Sequence, residues 1–166
     1  MIYSILVVTL LLSFYTDIRS RKILNIVTFP AMLVGLIYYT ITLGFEGLLF
    51  SSAGLLVGFL LLFIPYLLGG MGAGDVKLLA AVGALTGVTF VLHSFVYTAL
   101  VGGVIGLILL IRRLEFKEIS PLYLLSFFYL LKNLTSGNDD KPRITFPYGV
   151  AITVGTLCTF FLGGMT

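Results

Sequence analysis

Long apolar runs separated by short polar segments dominate the chain, and they predict membrane-spanning helices. Six runs approach the roughly 17–25 residues that a helix needs to cross a bilayer. They cover residues 2–16, 26–43, 48–68, 76–92, 95–111 and 144–162. Helices are expected rather than open sheets, because lipid cannot satisfy the backbone groups of a sheet edge. The pattern therefore predicts an all-α membrane protein, a polytopic bundle of six transmembrane helices in a single domain over residues 1–166.

One further apolar segment, 121–131, is too short to cross the bilayer. Ser120 and Pro121 before it are typical of a helix N-cap and first helical position. We expect this segment to form a short helix at the cytoplasmic interface of the membrane. The polar, turn-rich stretch 135–142 then leads to the last run.

Charge placement gives the expected orientation. If six helices start with the N-terminus outside, the cytoplasmic loops hold all 10 Lys and Arg residues of the chain. The outer loops hold only Glu46 and His93. This asymmetry follows the positive-inside rule and predicts that both termini lie outside, in a multi-pass protein of the plasma membrane. The first basic residue, Arg19, follows the first apolar run, so we expect a retained helix rather than a cleaved signal peptide.

Composition narrows the class of protein further. Hydrophobic residues make up 59% of the chain and charged residues 10%, against roughly 25% charged residues in soluble domains. Membrane lipid is therefore an expected partner, and nucleic acid is not. Cys158 and His93 are the only residues of their types, which excludes an internal disulfide and a multi-histidine or Cys/His metal site. We expect no metal and no cofactor.

Two aspartates are the candidate chemical groups. Asp17 closes the first run and Asp75 opens the fourth, so the predicted topology puts both at the cytoplasmic boundary. Ionisable residues are costly in the membrane and are functional candidates by default. Two alternatives stay open. Asp75 would also suit a simple helix cap, and Asp17 a solvated loop in which Arg19 and Arg21 neutralise it.

Two neighbouring carboxyls favour acid–base chemistry. Close carboxyls cannot easily both ionise, so one keeps a proton while the other accepts one; aspartic proteases are the standard example of this arrangement. Peptide hydrolysis by such a pair requires no metal, serine or histidine. The interpretation therefore suits a sequence that is poor in those groups.

The segment before Asp75 reads GGMGAGD, and we expect Gly70, Gly72 and Gly74 to shape this loop or bind substrate there. Glycines permit positive φ and leave room for an extended peptide. The spacing does not fit a phosphate-binding loop, although a plain flexible turn stays open. Lys77 follows closely and is expected to tune Asp75 or bind lipid phosphate, unless it is a boundary lysine that snorkels to the surface.

Three segments resemble the type IV prepilin peptidases, polytopic membrane proteases of the GxGD class. GAGD at 72–75, continued by VKLLAAVGALTG at 76–87, resembles the family's signature. TDIRSRKILN at 16–25 resembles its first aspartate loop, with Leu24 where the family usually has proline. FPYGVAI at 146–152 resembles the segment that enters its last span. The matches occur in the expected order.

The resemblance implies that Asp17 and Asp75 are the catalytic pair of an aspartic endopeptidase. It implies a type IV prepilin or pilin-like precursor as substrate, cleaved after a glycine between a basic leader and an apolar helix, at the cytoplasmic side. Long members of the family carry an additional domain with CxxC motifs that is linked to methylation. The chain resembles the short form without it, so we expect a peptidase without methyltransferase activity.

Two other functions remain possible from the residues alone. Glycine-rich helices with two membrane carboxylates also fit a proton-coupled transporter, which would need a polar path to the outer face. A non-catalytic assembly subunit of a pilus or secretion machine is the second alternative. Glycines such as Gly102, Gly103 and Gly106 would serve close helix packing in each case.

Overall fold

A computed structural model describes residues 1–20, 23–68, 70–114 and 148–162 of the chain, with side chains up to residue 108 in the third range. Within these ranges the chain forms four α-helices and no strand. The helices are α1 (Ile2–Ser20), α2 (Asn25–Leu67), α3 (Ala73–Leu114) and α4 (Tyr148–Leu162). The prediction of an all-α fold is confirmed for this part of the chain.

Three helices are long and apolar enough to cross a membrane: α1, α2 and the part of α3 from Ala73 to Ile108. The fourth, α4, is an apolar helix of 15 residues. The described helices therefore do not reproduce the six separate spans read from hydropathy, and the orientation of the termini stays a prediction. The helix expected at 121–131 lies outside the described residues.

Helix α2 folds back on itself at Gly44. This glycine has φ 64° and ψ −138°, a backbone conformation that side-chain-bearing residues rarely adopt. Beyond it, Gly47 lies against the carbonyl of Tyr39. Residues eight positions apart would be about 12 Å apart along a straight helix. Segments 25–43 and 45–67 therefore form a hairpin, at the place where hydropathy predicts a loop.

The first part of α3 is the centre of the bundle. Every residue from 78 to 85 is buried, as expected for a helix that is apolar on all sides. Segment 25–43 runs beside it in the same direction and segment 45–67 in the opposite direction. The parallel direction follows from the contacts of Asn25 with Lys77 and of Tyr39 with Leu85. The antiparallel direction follows from the contacts of Ser51 with Ala84 and of Gly58 with Leu79.

Helix α3 is also interrupted, at Gly87, with φ 83° and ψ 179°. The ring of Phe50 lies so close to Gly87 that a side chain there would overlap it. Hydropathy instead predicts the boundary near His93, but the helix continues through this exposed residue. The prediction is wrong by about two turns because a polar residue marks a hydropathy minimum, whereas the break requires a glycine backbone.

Helix α1 packs antiparallel to α4. The rings of Tyr3 and Phe160 meet at one end of this pair, with centroids 5.6 Å apart. The buried face of α1 repeats every three or four residues through Leu6, Leu10, Ser13 and Asp17. Asp17 therefore continues the inward face of α1 and points into the bundle.

The described residues fall into two units by their internal contacts. The first holds residues 1–102 and α4, and residues 103–114 belong to the second. The contacts among α1, α2, α4 and residues 73–102 of α3 lie within the first unit. The prediction of a single domain over 1–166 stays a prediction.

Candidate active site

The carboxyl of Asp75 closes the first turn of α3. Gly72 precedes the first helical residue, and its N–H donates to Asp75 Oδ2 at 3.2 Å. In return, the N–H of Asp75 donates to the carbonyl of Gly72 at 3.1 Å. This is the carboxylate half of a capping box, in which the third helical residue reaches back to the N-cap amide. Because the helix is central, Asp75 is only 7% exposed.

Asp17 lies in the last turn of α1 and is only 5% exposed. Its Oδ2 accepts a hydrogen bond from the N–H of Val150 at 3.2 Å, and the amide of Gly149 also acts on this carboxyl. The first amides of a helix have no partner within it, so the start of α4 suits a carboxylate. α4 thus compensates for the unfavourable position of an anion at the C-terminal end of α1.

The structure brings the two predicted aspartates together. Asp17 and Asp75 are close enough for their charges to act on each other. Tyr148, the first residue of α4, is within electrostatic reach of Asp75. The start of α4 therefore binds Asp17 through the amide of Val150 and brings Tyr148 within electrostatic reach of Asp75. The site is built from α1, α3 and α4.

Ile23 lies between the segments that carry the two carboxyls. A methyl group added to Gly74, next to Asp75, would be 2.9 Å from Ile23 Cβ. One added to Gly149 would be 3.1 Å from Ile23 Cδ1 and 2.7 Å from Asp17 Oδ2. The side chain of Ile23 thus reaches from the neighbourhood of Asp75 to that of Asp17.

The three candidate glycines serve the backbone in different ways. Gly70 lies just beyond Leu68, the C-cap of α2, and donates its N–H to the carbonyl of Pro65 at 3.0 Å. Gly72 begins α3, and Gly74 permits the close approach of Ile23. None of the three has positive φ; among the described glycines Gly44 and Gly87 do. The freedom of glycine to adopt positive φ is thus not used at these three positions, and close packing requires glycine only at Gly74, against Ile23.

Lys77 is engaged with α2. Its Nζ donates to Asn25 Oδ1 at 3.0 Å and lies 5.1 Å from the centre of the Phe29 ring. These contacts tie the N-terminal part of α2 to that of α3. Lys77 thus links α2 and α3 beside the candidate site. Its expected effect on Asp75 and its expected binding of lipid phosphate stay predictions.

Sequence reasoning assigned no role to Ile23, Tyr148, Gly149 or Val150. All four lie in segments that carry the family resemblance, 16–25 and 146–152. That resemblance was a usable signal for their importance. Their adjacency to the carboxyls had no sequence signal, because it depends on how α1 and α4 pack.

The described ranges hold no group of three or more His, Cys, Asp or Glu residues that would suit a metal ion. The fold is that of a helical membrane protein with two buried carboxyls at adjoining helix ends. The model of the type IV leader peptidase family matches residues 4–107, more than half of the chain. The chain belongs to this family of peptidases. No curated protein and no solved structure gives a significant match.

Proposed function

We propose that the chain is a prepilin leader peptidase of the GxGD type, with Asp17 and Asp75 as its catalytic pair. The observation that carries the proposal is that α1 and α3 hold these two buried carboxyls within electrostatic reach of each other, with Ile23 packed between the segments that carry them. Membership of the leader peptidase family favours hydrolysis over a proton-coupled transporter or a non-catalytic pilus or secretion subunit.

The reaction follows from two carboxyls that share one proton. The ionised carboxyl takes a proton from water while the water oxygen attacks the carbonyl carbon of the scissile peptide bond. The protonated carboxyl donates its proton to the carbonyl oxygen. When the tetrahedral intermediate collapses, the C–N bond breaks and the amine leaves with the proton first taken from water. At the same time a hydroxyl of the intermediate becomes the new carbonyl oxygen and returns its proton to the carboxyl that had donated one. Both carboxyls then return to the state in which they began.

The backbone prepares this pair for proton transfer. One oxygen of Asp17 is held by the Val150 amide and one oxygen of Asp75 by the Gly72 amide. Each hydrogen bond restricts rotation of its carboxyl. Fixed orientation of reacting groups lowers the entropic part of the barrier. The hydrogen bonds therefore support a preorganised acid–base pair.

The proposed substrate is a type IV prepilin or pilin-like precursor, cut after a glycine between its leader and its apolar helix. The proposal places the reaction at the cytoplasmic boundary of the plasma membrane. Six crossings with both termini outside are part of it. The breaks at Gly44 and Gly87 support this topology, because they divide α2 and α3 into two segments each. Together with α1 and α4 these make six helical segments within the described ranges.

Co-expression with a pilin-like precursor tests the proposal, with leader removal followed on a gel. Asp17→Asn and Asp75→Asn should each abolish processing, because an amide can neither accept nor supply the shared proton. Glu46→Gln is the matched control, an exposed acidic residue near the turn of α2. Processing by either aspartate variant, with its protein inserted normally, would refute the assigned mechanism. If the wild type leaves every precursor intact, leader peptidase function itself is refuted.

A further inference from the structure

We propose that Ile23 is a positioning residue that sets the separation of the two carboxyls. The inference rests on the proposed function, since it concerns the same pair of aspartates. Ile23 touches neither substrate nor the reacting atoms in this account. It acts through Gly74, the neighbour of Asp75, and through Gly149, which packs on Asp17.

The first contact is between Ile23 and the start of α3. A methyl group on Gly74 would lie 2.9 Å from Ile23 Cβ and 3.4 Å from both its N and O atoms. The backbone of Ile23 therefore rests directly on the residue before Asp75. Any displacement of Ile23 is passed to the first turn of α3, because close-packed groups do not yield freely.

The second contact is between the tip of the same side chain and the start of α4. Cδ1 of Ile23 would lie 3.1 Å from a methyl group on Gly149, and the carboxyl of Asp17 is against the same glycine. The tip of Ile23 thus borders the space in which α4 holds Asp17. Ile23 is therefore among the nearest neighbours of both Gly74 and Gly149.

Because Ile23 makes one contact through Cβ and the other through Cδ1, the length of its side chain should set the separation of the two carboxyls. Valine retains Cβ and its contact with Gly74 but lacks Cδ1, so only the contact with α4 is lost. Alanine removes the whole arm beyond Cβ. Ile23 also packs half-buried against the core, which keeps the arm in place. A spacer predicts a graded response from isoleucine to valine to alanine.

The test uses the purified full chain in detergent and a synthetic peptide with a basic leader, a glycine and an apolar segment. We expect kcat to fall in the order Ile23, Ile23→Val, Ile23→Ala, by roughly 100-fold at alanine, as misplacement of catalytic groups by about 1 Å would cause. KM should change by less than about twofold, because substrate binding is left intact. Leu24→Ala, at an exposed neighbouring position, should keep the wild-type kcat.

A double variant tests whether Ile23 and Gly149 act on the same carboxyl. Gly149→Ala inserts a methyl group that meets both Asp17 and Ile23 Cδ1. With Ile23→Val the space of Cδ1 is vacated, so the loss of kcat in the double variant should be smaller than the product of the single losses. If Ile23→Ala does not fold, the valine variant and this cycle still decide the matter.

Unchanged kcat in Ile23→Val and Ile23→Ala, beside an active wild type, would overturn the inference and leave the proposed function standing. Losses that appear in KM alone would overturn it too, because they would place Ile23 in substrate binding. A wild type without activity on the peptide and on whole precursors would remove the proposed function and this inference with it.

Discussion

The two aspartates are held in opposite ways. Asp75 is bound by the amide of Gly72, three residues before it, whereas Asp17 is bound by the amide of Val150, 133 residues after it. One carboxyl is fixed by the start of its own helix and the other by the packing of a distant helix. The hydrogen bond of Asp75 is therefore determined locally, whereas that of Asp17 forms only when α1 and α4 pack together.

The surroundings of the two helices reinforce this difference. The first part of α3 is buried on every side, so Asp75 sits at the base of the most protected helix. α1 instead presents exposed apolar side chains such as Leu11 and Ile18 along its outer face. Changes in α4 should consequently disturb Asp17 far more than Asp75. The predictions that follow probe that asymmetry.

Among changes to the amides that bind the two carboxyls, the larger effect is expected from Gly149→Ala. The added methyl group would lie 2.7 Å from Asp17 Oδ2 and 2.9 Å from its Cγ, so the carboxyl must move away from the Val150 amide. We expect kcat for leader cleavage to fall roughly 100-fold at nearly constant KM. Steady-state kinetics on the peptide substrate measure both constants.

Gly102→Ala is the control for this change. Its methyl group would make an ordinary contact, 3.7 Å from Ala151 Cβ, on the same α4 helix. This variant should cleave at close to the wild-type rate. If Gly149→Ala also keeps the wild-type kcat, α4 does not hold Asp17 during catalysis and the contrast between the two aspartates fails.

A smaller loss is expected from Gly72→Ala, which tests the local arrangement. The methyl group would lie 3.3 Å from Asp75 Oδ2, and the backbone N–H that binds this oxygen is kept. Alanine is a poorer N-cap than glycine, so the first turn of α3 should be weakened. We expect kcat to fall by less than about tenfold, corresponding to less than about 1.4 kcal/mol in the barrier.

The ratio of the Gly72→Ala and Gly149→Ala effects sharpens the comparison. The local hydrogen bond can re-form with small backbone shifts, whereas the distant one requires α4 to move. A loss at Gly72→Ala equal to that at Gly149→Ala would show that Asp75 is as vulnerable as Asp17.

The same contrast explains what could be predicted from sequence. A run of glycines ending in an aspartate at the start of an apolar helix leads to Asp75 directly, because its partner is three residues away. Asp17 could be identified as a candidate, but its contact with Val150 could not, since no local pattern encodes a contact between α1 and α4. The family match at 4–107 also ends before α4 begins.

The helix breaks show the same limit. The turn at Gly44 was predictable because a short segment with a glycine and a charged residue separates two apolar runs there. The break at Gly87 falls inside an apolar run, and Phe50 from another helix segment occupies the space beside it. Hydropathy measures the preference of side chains for an apolar environment over water. It therefore cannot reveal a backbone break that lies within an apolar run.

The smallest effect is expected at Lys77, two residues beyond Asp75. Lys77→Ala removes the hydrogen bond to Asn25 and the contact with the Phe29 ring. For a partly exposed pair this should lower the free energy of unfolding by about 1 kcal/mol. Thermal unfolding of Lys77→Ala, Asn25→Ala and the double variant measures the coupling, which should be positive and below about 1 kcal/mol.

Activity should fall less than about threefold in Lys77→Ala, because loss of a peripheral link leaves both carboxyls bound to their amides. Lys77→Arg offers a matched variant that keeps the charge and can still reach the Phe29 ring. A large loss of kcat in Lys77→Ala, restored by arginine, would mean that the positive charge acts on Asp75 itself. Asp75 would then depend on the Lys77 side chain as well as on the Gly72 amide. The difference between a locally held Asp75 and a distantly held Asp17 would be smaller than the two hydrogen bonds suggest.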